Sequence, residues 1–266
     1  MGNPVQQNAE FISQETRGIV SMRYKTITKA INVEFRSSQS DSAYSLQVGS
    51  YGRNTAITTS DIDILVELPE NEYIRHDSYK GNGQSRLLQA VRNAILTSYP
   101  KTAVNADGQI VKVEFADGMI FEVLPAFMTW GGTYKYPDTN MGGNWRSTNP
   151  KAEIEAMRQK NNDSNGLLYD TCKHIRRIRD GHFSPYTLSG IVIDCFVYHA
   201  IGGWHWRRDG ETPSVNPITF EQVLLNDFKQ RFTYNFTLQA PGSHQVVEAG
   251  TSITGLGKVL EHMANG

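Results

Sequence analysis

The chain has 266 residues, with 26 basic and 27 acidic side chains that give a formal net charge of −1. Its 39% hydrophobic and 20% charged residues are ordinary for a globular protein that buries a substantial core. Because the chain is nearly neutral, no overall field draws it to a membrane surface or to nucleic acid, and we expect no long nucleic acid as a partner.

Targeting signals and cysteines bear on the compartment. No apolar run approaches the roughly 18–20 residues that a membrane span needs. The start, MGNPVQQN, has neither the basic region nor the apolar region of a signal peptide. The two cysteines, Cys172 and Cys195, lie in apolar or helical contexts, which favours free thiols in a reducing compartment. The sequence therefore predicts a cytoplasmic protein without a membrane partner.

Hydrophobic spacing predicts the elements of the first half of the chain. They are a helix over residues 8–36, a strand over 62–68, a long polar loop over 69–85, a helix ending near 98, and a β-hairpin in which an ADG turn joins QIVKVEF to MIFEVLPAF. The hairpin and the strand together indicate a small sheet with helices beside it.

The second half is predicted to be mainly helical. Residues 129–150 show no periodicity and are expected to form a long loop, which in a compact domain is often functional. Beyond it, KAEIEAMRQKNN, GLLYDTCKHIRRIRDG and YTLSGIVIDCFVYHAI favour helices, and a last helix is expected near 253–264. These patterns predict a mixed α/β lobe over 1–150 and a helical lobe over 151–266.

The stretch QVGSYGRNTAITTSDIDILVEL follows a Gly-Ser turn with two aspartates at the start of an apolar strand. Strand alternation puts Asp61 and Asp63 on one face, with side chains about 6–7 Å apart. Carboxylates that close repel each other unless a cation lies between them, and oxygen ligands suit Mg²⁺ or Mn²⁺. Gly49 lets backbone N–H groups approach a phosphate, and Ser50 adds a hydroxyl. These residues predict a metal and phosphate site.

A third carboxylate is expected from the hairpin, because two-metal phosphoryl transfer needs a ligand from another strand. Glu122 shares its strand face with apolar residues. Burying an unpaired carboxylate there would be costly, and a metal ion beside it would offset the cost. Glu114 and Asp117 are weaker candidates, because Glu114 shares a face with Lys112 and Asp117 lies in the turn.

With these residues identified, the run VGSYGRNTAITTSDIDILVEL resembles the Gly-Ser and Asp-x-Asp signature of the polymerase-β-like nucleotidyltransferases. With FEVLPAF and a helical second lobe, the chain is most similar to the bacterial CD-NTases, relatives of cGAS and DncV that make cyclic oligonucleotide signals in anti-phage defence. The resemblance is sharp over 45–68 and 110–127, looser over 145–200 and faint beyond 210. It implies an α+β fold: a nucleotidyltransferase lobe with a mixed sheet and flanking helices, and a helical C-terminal lobe that closes the nucleotide cleft.

The resemblance also implies roles for residues of the first lobe. Gly49 and Ser50 would contact the triphosphate of ATP or GTP. Two Mg²⁺ (or Mn²⁺) ions would be bound by Asp61, Asp63 and Glu122. The expected product is a cyclic dinucleotide or trinucleotide, with pyrophosphate released at each step.

For the second lobe, the resemblance implies that Lys173 or Arg177 meets the phosphates and that Ser189 lies near the base or a phosphate. Two positions depart from the family pattern. The third acid is Glu122 where the family usually has Asp, and Asn54 stands where many members have Gly.

Other functions remain open at this stage. The enzyme could transfer a nucleotide to another acceptor, such as an RNA 3′ end, a protein or an antibiotic. The chain could also be a nucleotide-binding regulator without turnover. A protein partner that activates the enzyme is a further possibility that the sequence leaves open.

Several motifs have a structural interpretation beside the functional one. The basic run from Lys173 to Arg179 is also typical of a solvated helix face with salt bridges. Asp194, on an apolar helix, is expected to be a buried polar residue whose hydrogen bonds are satisfied. The seven histidines show no spacing typical of zinc ligands.

Overall fold

The computed structural model describes residues 2–9, 11–212, 217–233 and 237–265. Its internal contacts divide the chain into two compact units. The sheet unit comprises Ile12–Gly52 and Thr59–Pro150, and the helical unit comprises Met1–Phe11, Arg53–Thr58 and Lys151–Gly266. The expected roles of 1–150 and 151–266 as two lobes around a nucleotide cleft stay predictions.

The sheet unit contains both helices and strands. Its helices are α1 (Gln14–Arg36), α2 (Gly49–Gly52), α3 (Glu70–Asp77) and α4 (Gly83–Ser98). Its strands are β1 (Ser45–Gln47), β2 (Ile62–Glu67), β3 (Ala103–Asp107), β4 (Ile110–Glu114), β5 (Ile120–Met128), β6 (Tyr134–Asp138) and β7 (Asn144–Thr148). A short 3₁₀ turn spans Asn140–Gly142.

The strands form one mixed sheet in the order β1-β2-β5-β4-β3, with β6 paired to β5 and β7 to β6. β2 and β5 run parallel, and the neighbouring pairs are antiparallel. Ile62 and Ile64 of β2 face a core shared with Ile27 of α1 and Leu87 of α4. The opposite side of β2 buries Leu65 in a smaller cluster. The predicted mixed sheet with flanking helices is confirmed.

The first helix begins later than the hydrophobic period suggests. Ser13 accepts a hydrogen bond from the backbone N–H of Thr16 and caps α1, so the helix starts at Gln14 and not at residue 8. It ends at Arg36 because Ser37 adopts a left-handed conformation, with φ 50°. The predicted helix to about residue 98 and the predicted hairpin of β4 and β5 are confirmed.

Two predicted loops are wrong. Within 69–85, residues Glu70–Asp77 form α3, whose buried side chains are Glu72 and His76. Within 129–150, β6 and β7 form an antiparallel hairpin that pairs Tyr134 with Thr148. In both segments polar residues occupy positions that face the protein, so a search for apolar periodicity does not detect them.

The helical unit contains α5 (Pro150–Asp163), α6 (Leu167–His182), α7 (Gly190–Ala200), α8 (Phe220–Thr233) and α9 (Ser252–Asn265), with a two-stranded pair of β8 (Leu238–Gln239) and β9 (Val246–Val247). α7 is buried along most of its length, as predicted, and the last helix is confirmed. Cys172 and Cys195 are buried free thiols in this core. Among the described helices, none has the length and apolarity that crossing a membrane requires.

The basic run of α6 is not a uniformly solvated face. His174 and Arg176 are each 1% exposed, whereas Arg177 is exposed. Arg176 is buried because it donates to both carboxylate oxygens of Asp194, which is itself fully buried. The expectation that the hydrogen bonds of Asp194 are satisfied is confirmed.

Candidate active site

The Gly-Ser turn of the sheet unit packs directly against Asp63. The backbone N–H of Val48 donates to the Asp63 carbonyl at 2.9 Å, and α2 starts at the next residue. Gly49 has φ +56°, and a Cβ there would lie 1.8 Å from Oδ2 of Asp63. Only glycine allows this approach, because any side chain would displace the carboxylate. The turn that carries Ser50 is therefore held against Asp63.

Parallel pairing of β2 with β5 brings the third acid to the same place. Asp63 and Glu122 are direct partners in the strand register, and their side chains share a hydrogen bond. Asp61 lies just before β2, is exposed, and acts electrostatically on Glu122. The structure thus brings Gly49, Asp61, Asp63 and Glu122 together near the starts of β2 and β5. Their catalytic roles stay predictions.

Burial raises the pKa values of two acids of this cluster, Asp61 and Glu122. Burial raises the pKa of Glu122 and the charge of Asp61 raises it further, while Lys112 and the hydrogen bond with Asp63 offset part of the rise. Burial also raises the pKa of Asp61 against an opposing effect of Lys112, although the residue is exposed. A hydrogen bond between two carboxyl groups requires a proton on one of them. A cation would remove that requirement.

The donor set suits a hard divalent cation. It consists of carboxylate oxygens from two adjacent strands, which are the ligands that Mg²⁺ and Mn²⁺ prefer. Within the described ranges, no three acidic, histidine or cysteine side chains are arranged to hold a metal ion. Asp63 and Glu122 are direct partners in the pairing of β2 with β5. The residues therefore fit the ion by the chemistry of their donor atoms.

Lys112 belongs to this cluster, although no role there was predicted for it from the sequence. It lies on β4 directly opposite Glu122, and its Nζ is 2.7 Å from Oε1 of Glu114. Its charge lowers the pKa values of both Asp61 and Glu122. The ion pair also explains why Glu114 is a weak candidate ligand. The signal in the sequence was the hairpin itself, since its turn length sets which residue faces Glu122.

Asn54, one of the two expected departures from the pattern of the resembled family, has φ 58°. Asparagine tolerates this left-handed conformation better than most residues. The departure from the family pattern therefore keeps the backbone conformation that glycine would allow.

The remaining predicted residues lie in the helical unit. Lys173 is partly exposed, with Nζ 5.9 Å from the centre of the Tyr169 ring. Arg177 is exposed, and its Nη2 lies 3.2 Å from Nδ1 of His174. Ser189 precedes α7, is exposed, and its backbone N–H donates to Oγ of Ser252 at 3.1 Å. Their predicted contacts with phosphate or base stay predictions.

Comparison with known families matches residues 6–161 to the Second Messenger Oligonucleotide or Dinucleotide Synthetase domain, SMODS. Comparison with curated protein sequences gives no match.

Solved structures share the fold along nearly the whole chain. The CdnE cyclic dinucleotide synthase of Elizabethkingia meningoseptica, with GTP and Apcpp, is 16% identical with a TM-score of 0.62, over 98% of this chain and 93% of that one. The CdnE c-UMP-AMP synthase of Rhodothermus marinus is also 16% identical at a TM-score of 0.62, over 96% and 91%. The Vibrio cholerae DncV cyclic AMP-GMP synthase is 10% identical at 0.58, over 93% and 82%.

Proposed function

Because the chain belongs to the SMODS family of second messenger oligonucleotide or dinucleotide synthetases, and is thus a nucleotidyltransferase, we propose that it joins nucleoside triphosphates into a cyclic oligonucleotide. Pyrophosphate leaves at each step, and the product is a cyclic dinucleotide or trinucleotide. The observation that carries this proposal is the contact of Asp63 with both Gly49 and Glu122. It joins the turn that we propose to bind phosphate to a pair of acids on adjacent strands.

In the proposed reaction, Gly49 and Ser50 bind the triphosphate through backbone N–H groups and a hydroxyl. Asp61, Asp63 and Glu122 would hold Mg²⁺ or Mn²⁺, which when bound neutralises phosphate charge and lowers the pKa of the attacking ribose hydroxyl. Lys112 balances part of the charge of the acids before the substrate binds. The rate enhancement comes mainly from positioning and electrostatic stabilisation.

The helical unit would supply the other substrate contacts. Lys173 or Arg177 would meet the phosphates, and Ser189 would lie near the base or a phosphate. Both cationic side chains remain accessible to an anion, since Lys173 is partly exposed and Arg177 is exposed. As the helical lobe of a nucleotidyltransferase, residues 151–266 would close the nucleotide cleft.

The substrates that we propose are ATP, GTP or both. A related CdnE structure contains GTP and Apcpp, and the related DncV is a cyclic AMP-GMP synthase. One relative, CdnC of E. coli MS115-1, is seen in complex with a HORMA protein, which supports an activating protein partner for this chain. We place the enzyme in the bacterial cytoplasm, in anti-phage signalling. Its two buried free thiols fit a reducing compartment.

The test is incubation with all four labelled nucleoside triphosphates and Mg²⁺ or Mn²⁺, followed by phosphatase. We expect a phosphatase-resistant product from the triphosphates alone. Asp63→Asn should lower its rate roughly 10²-fold or more, because the cluster loses a charged ligand. Asp107→Asn makes the same chemical change at an exposed end of β3 and should leave the rate unchanged.

Three results would contradict the proposal. If no resistant product forms, the chain does not synthesise a cyclic oligonucleotide under these conditions. If label is transferred only after an RNA, protein or antibiotic acceptor is added, the alternative transfer reaction is favoured. Tight triphosphate binding without turnover, in both the wild type and Asp63→Asn, would identify a regulator.

A further inference from the structure

A buried network of charges surrounds Asp194 in the helical unit. Oδ2 of Asp194 accepts from Nε of Arg53 at 2.9 Å and from Oγ1 of Thr55 at 3.0 Å. Arg176 donates to both carboxylate oxygens, at 2.7 and 3.0 Å. A second guanidinium nitrogen of Arg53 donates to Oε2 of Glu153 at 3.1 Å. Two arginines thus face two carboxylates, and the four charges balance.

The network is almost closed to water. Asp194 and Thr55 are 0% exposed, Arg176 is 1%, Arg53 is 7% and Glu153 is 8%. Burial works against the charge on Asp194, yet Arg176 and Arg53 together hold its pKa below the ordinary value. Buried ion pairs of this kind contribute little net stability compared with apolar packing, but breaking one partner is strongly destabilising. Their best supported use is to fix one arrangement of the chain.

The chain segment that the network holds is Arg53–Thr58. This segment belongs to the helical unit, whereas the residues on both sides of it, to Gly52 and from Thr59, belong to the sheet unit. Besides Arg53 and Thr55, its Ala56 and Ile57 are buried. Its last residue donates from the backbone N–H of Thr58 to the carbonyl of Phe11 at 3.2 Å.

In sequence, this segment joins the two parts of the candidate active site. Arg53 follows Ser50 by three positions, and Thr58 precedes Asp61 by three. The segment is therefore the covalent link between the phosphate-binding turn and the aspartates. An anchored link limits how far either end can move.

We propose that Asp194 is a positioning residue: by holding Arg53 and Thr55, it fixes the segment that joins the Gly49 turn to Asp61 and Asp63. The kinetic part of this proposal rests on the proposed function. Asp194 itself would touch neither substrate nor metal. Arg176 acts together with Asp194. The guanidinium of Arg176 needs glycine at position 190, because a Cβ there would lie 2.9 Å from Nη2 of Arg176.

Thr55 provides the mildest test. Asp194→Asn leaves two buried arginines short of one negative charge and is expected to unfold the helical unit. Thr55→Val keeps the shape and removes the hydroxyl that donates to Asp194, while Thr55→Ser keeps the hydroxyl. Thr171→Val is the matched control, because Thr171 is also 0% exposed but its hydroxyl donates within α6, to the Leu167 carbonyl at 2.7 Å.

Two readouts are measured on the full-length variants. Hydrogen exchange by mass spectrometry follows the peptides that cover residues 48–63, with α6 peptides as an internal reference. Steady-state kinetics with nucleoside triphosphates give kcat and KM. We expect Thr55→Val to speed exchange in 48–63 severalfold and to lower kcat by roughly 10- to 100-fold, since small misplacements of catalytic groups have effects of that size. Thr55→Ser should restore both.

The proposal is overturned if Thr55→Val matches Thr171→Val in either readout, or if faster exchange spreads equally through α6. Loss of kcat without faster exchange in 48–63 also overturns it. If the wild type makes no product, the proposed function has failed, and the exchange comparison alone then supports or overturns the anchoring of the segment by Asp194.

Discussion

At the scale of single residues, Gly49 is a position of the candidate site that requires glycine. Its positive φ and its contact with Oδ2 of Asp63 are two separate reasons for glycine. Gly108, in the turn between β3 and β4, separates them: its φ is +58°, close to the +56° of Gly49, but a Cβ there would meet nothing within 4 Å. A comparison of the two alanine variants therefore isolates the contact with the aspartate.

We expect Gly108→Ala to lower the free energy of unfolding by about 1–2 kcal/mol, the usual cost of a left-handed alanine. Gly49→Ala should cost more and should also abolish product formation, because the Asp63 carboxylate must move. Thermal unfolding and triphosphate conversion measure the two effects. Equal losses of stability in both variants, with activity kept in Gly49→Ala, would show that the contact has no role.

Most of the acidic cluster could be predicted from the sequence, because its members follow from local patterns. Asp61 directly precedes β2 and Asp63 lies on it, and the short hairpin turn brings β5 into the sheet. The position of Lys112 was not predicted, because it depends on the register of the hairpin, which the length of the turn sets. The turn sets that register through two bonds, from Phe115 N–H to the Met119 carbonyl and from Gly118 N–H to the Phe115 carbonyl.

At the scale of elements, α3 shows which signals apolar periodicity does not detect. Its first turn carries Glu70 and Glu72 and its last turn carries Arg75 and His76, an arrangement that complements the helix dipole. The hairpin of β6 and β7 escapes detection from the sequence for a different reason. Trp145 of β7 packs against Tyr73 of α3, with ring centres 5.0 Å apart, so its partner lies outside the local sequence.

The N-terminal segment is held to α6 through His174, which makes that contact sensitive to pH. Nε2 of His174 bonds with the carbonyl of Asn3 at 3.0 Å, and Nη2 of Arg177 lies 3.2 Å from Nδ1. The pKa of His174 lies below its ordinary value of 6.5, mainly because the imidazole is buried. The charges of Arg177 and His262 lower this pKa further, whereas the hydrogen bond with Asn3 and the charge of Glu221 raise it. The folded protein therefore favours the neutral imidazole.

The sign of the pH effect follows from this shift. As the pH falls below 6.5, the unfolded chain takes up a proton that the folded chain resists, so stability is lost until the pH reaches the lower pKa of the folded state. We expect the melting temperature of the wild type to fall more steeply over that window than that of His174→Asn, which cannot titrate. Between about pH 8 and 7, where the imidazole is mostly neutral, the two slopes should agree. Parallel slopes throughout would contradict the assignment.

At the scale of the whole molecule, the two folded units do not correspond to two continuous halves of the chain. Two early segments complete the helical unit, Met1–Phe11 and Arg53–Thr58. Val5 is buried there, and its backbone N–H donates to Oε1 of Glu221 at 3.0 Å. Composition could predict a helical second half, but not these additions, because each contact joins residues that lie far apart in the sequence.

This arrangement predicts that residues 151–266 do not fold cooperatively when expressed alone. Without Arg53, the buried carboxylate of Glu153 lacks its cation and Asp194 keeps only Arg176. Leaving one partner of a buried ion pair typically costs about 3–5 kcal/mol, a large share of the stability of such a domain. Circular dichroism during heating should show a broad, non-cooperative change for the fragment and a sharp transition for the full chain. A sharp transition in the fragment would mean that the network is dispensable for folding, which would also weaken its proposed role in fixing the active-site segment.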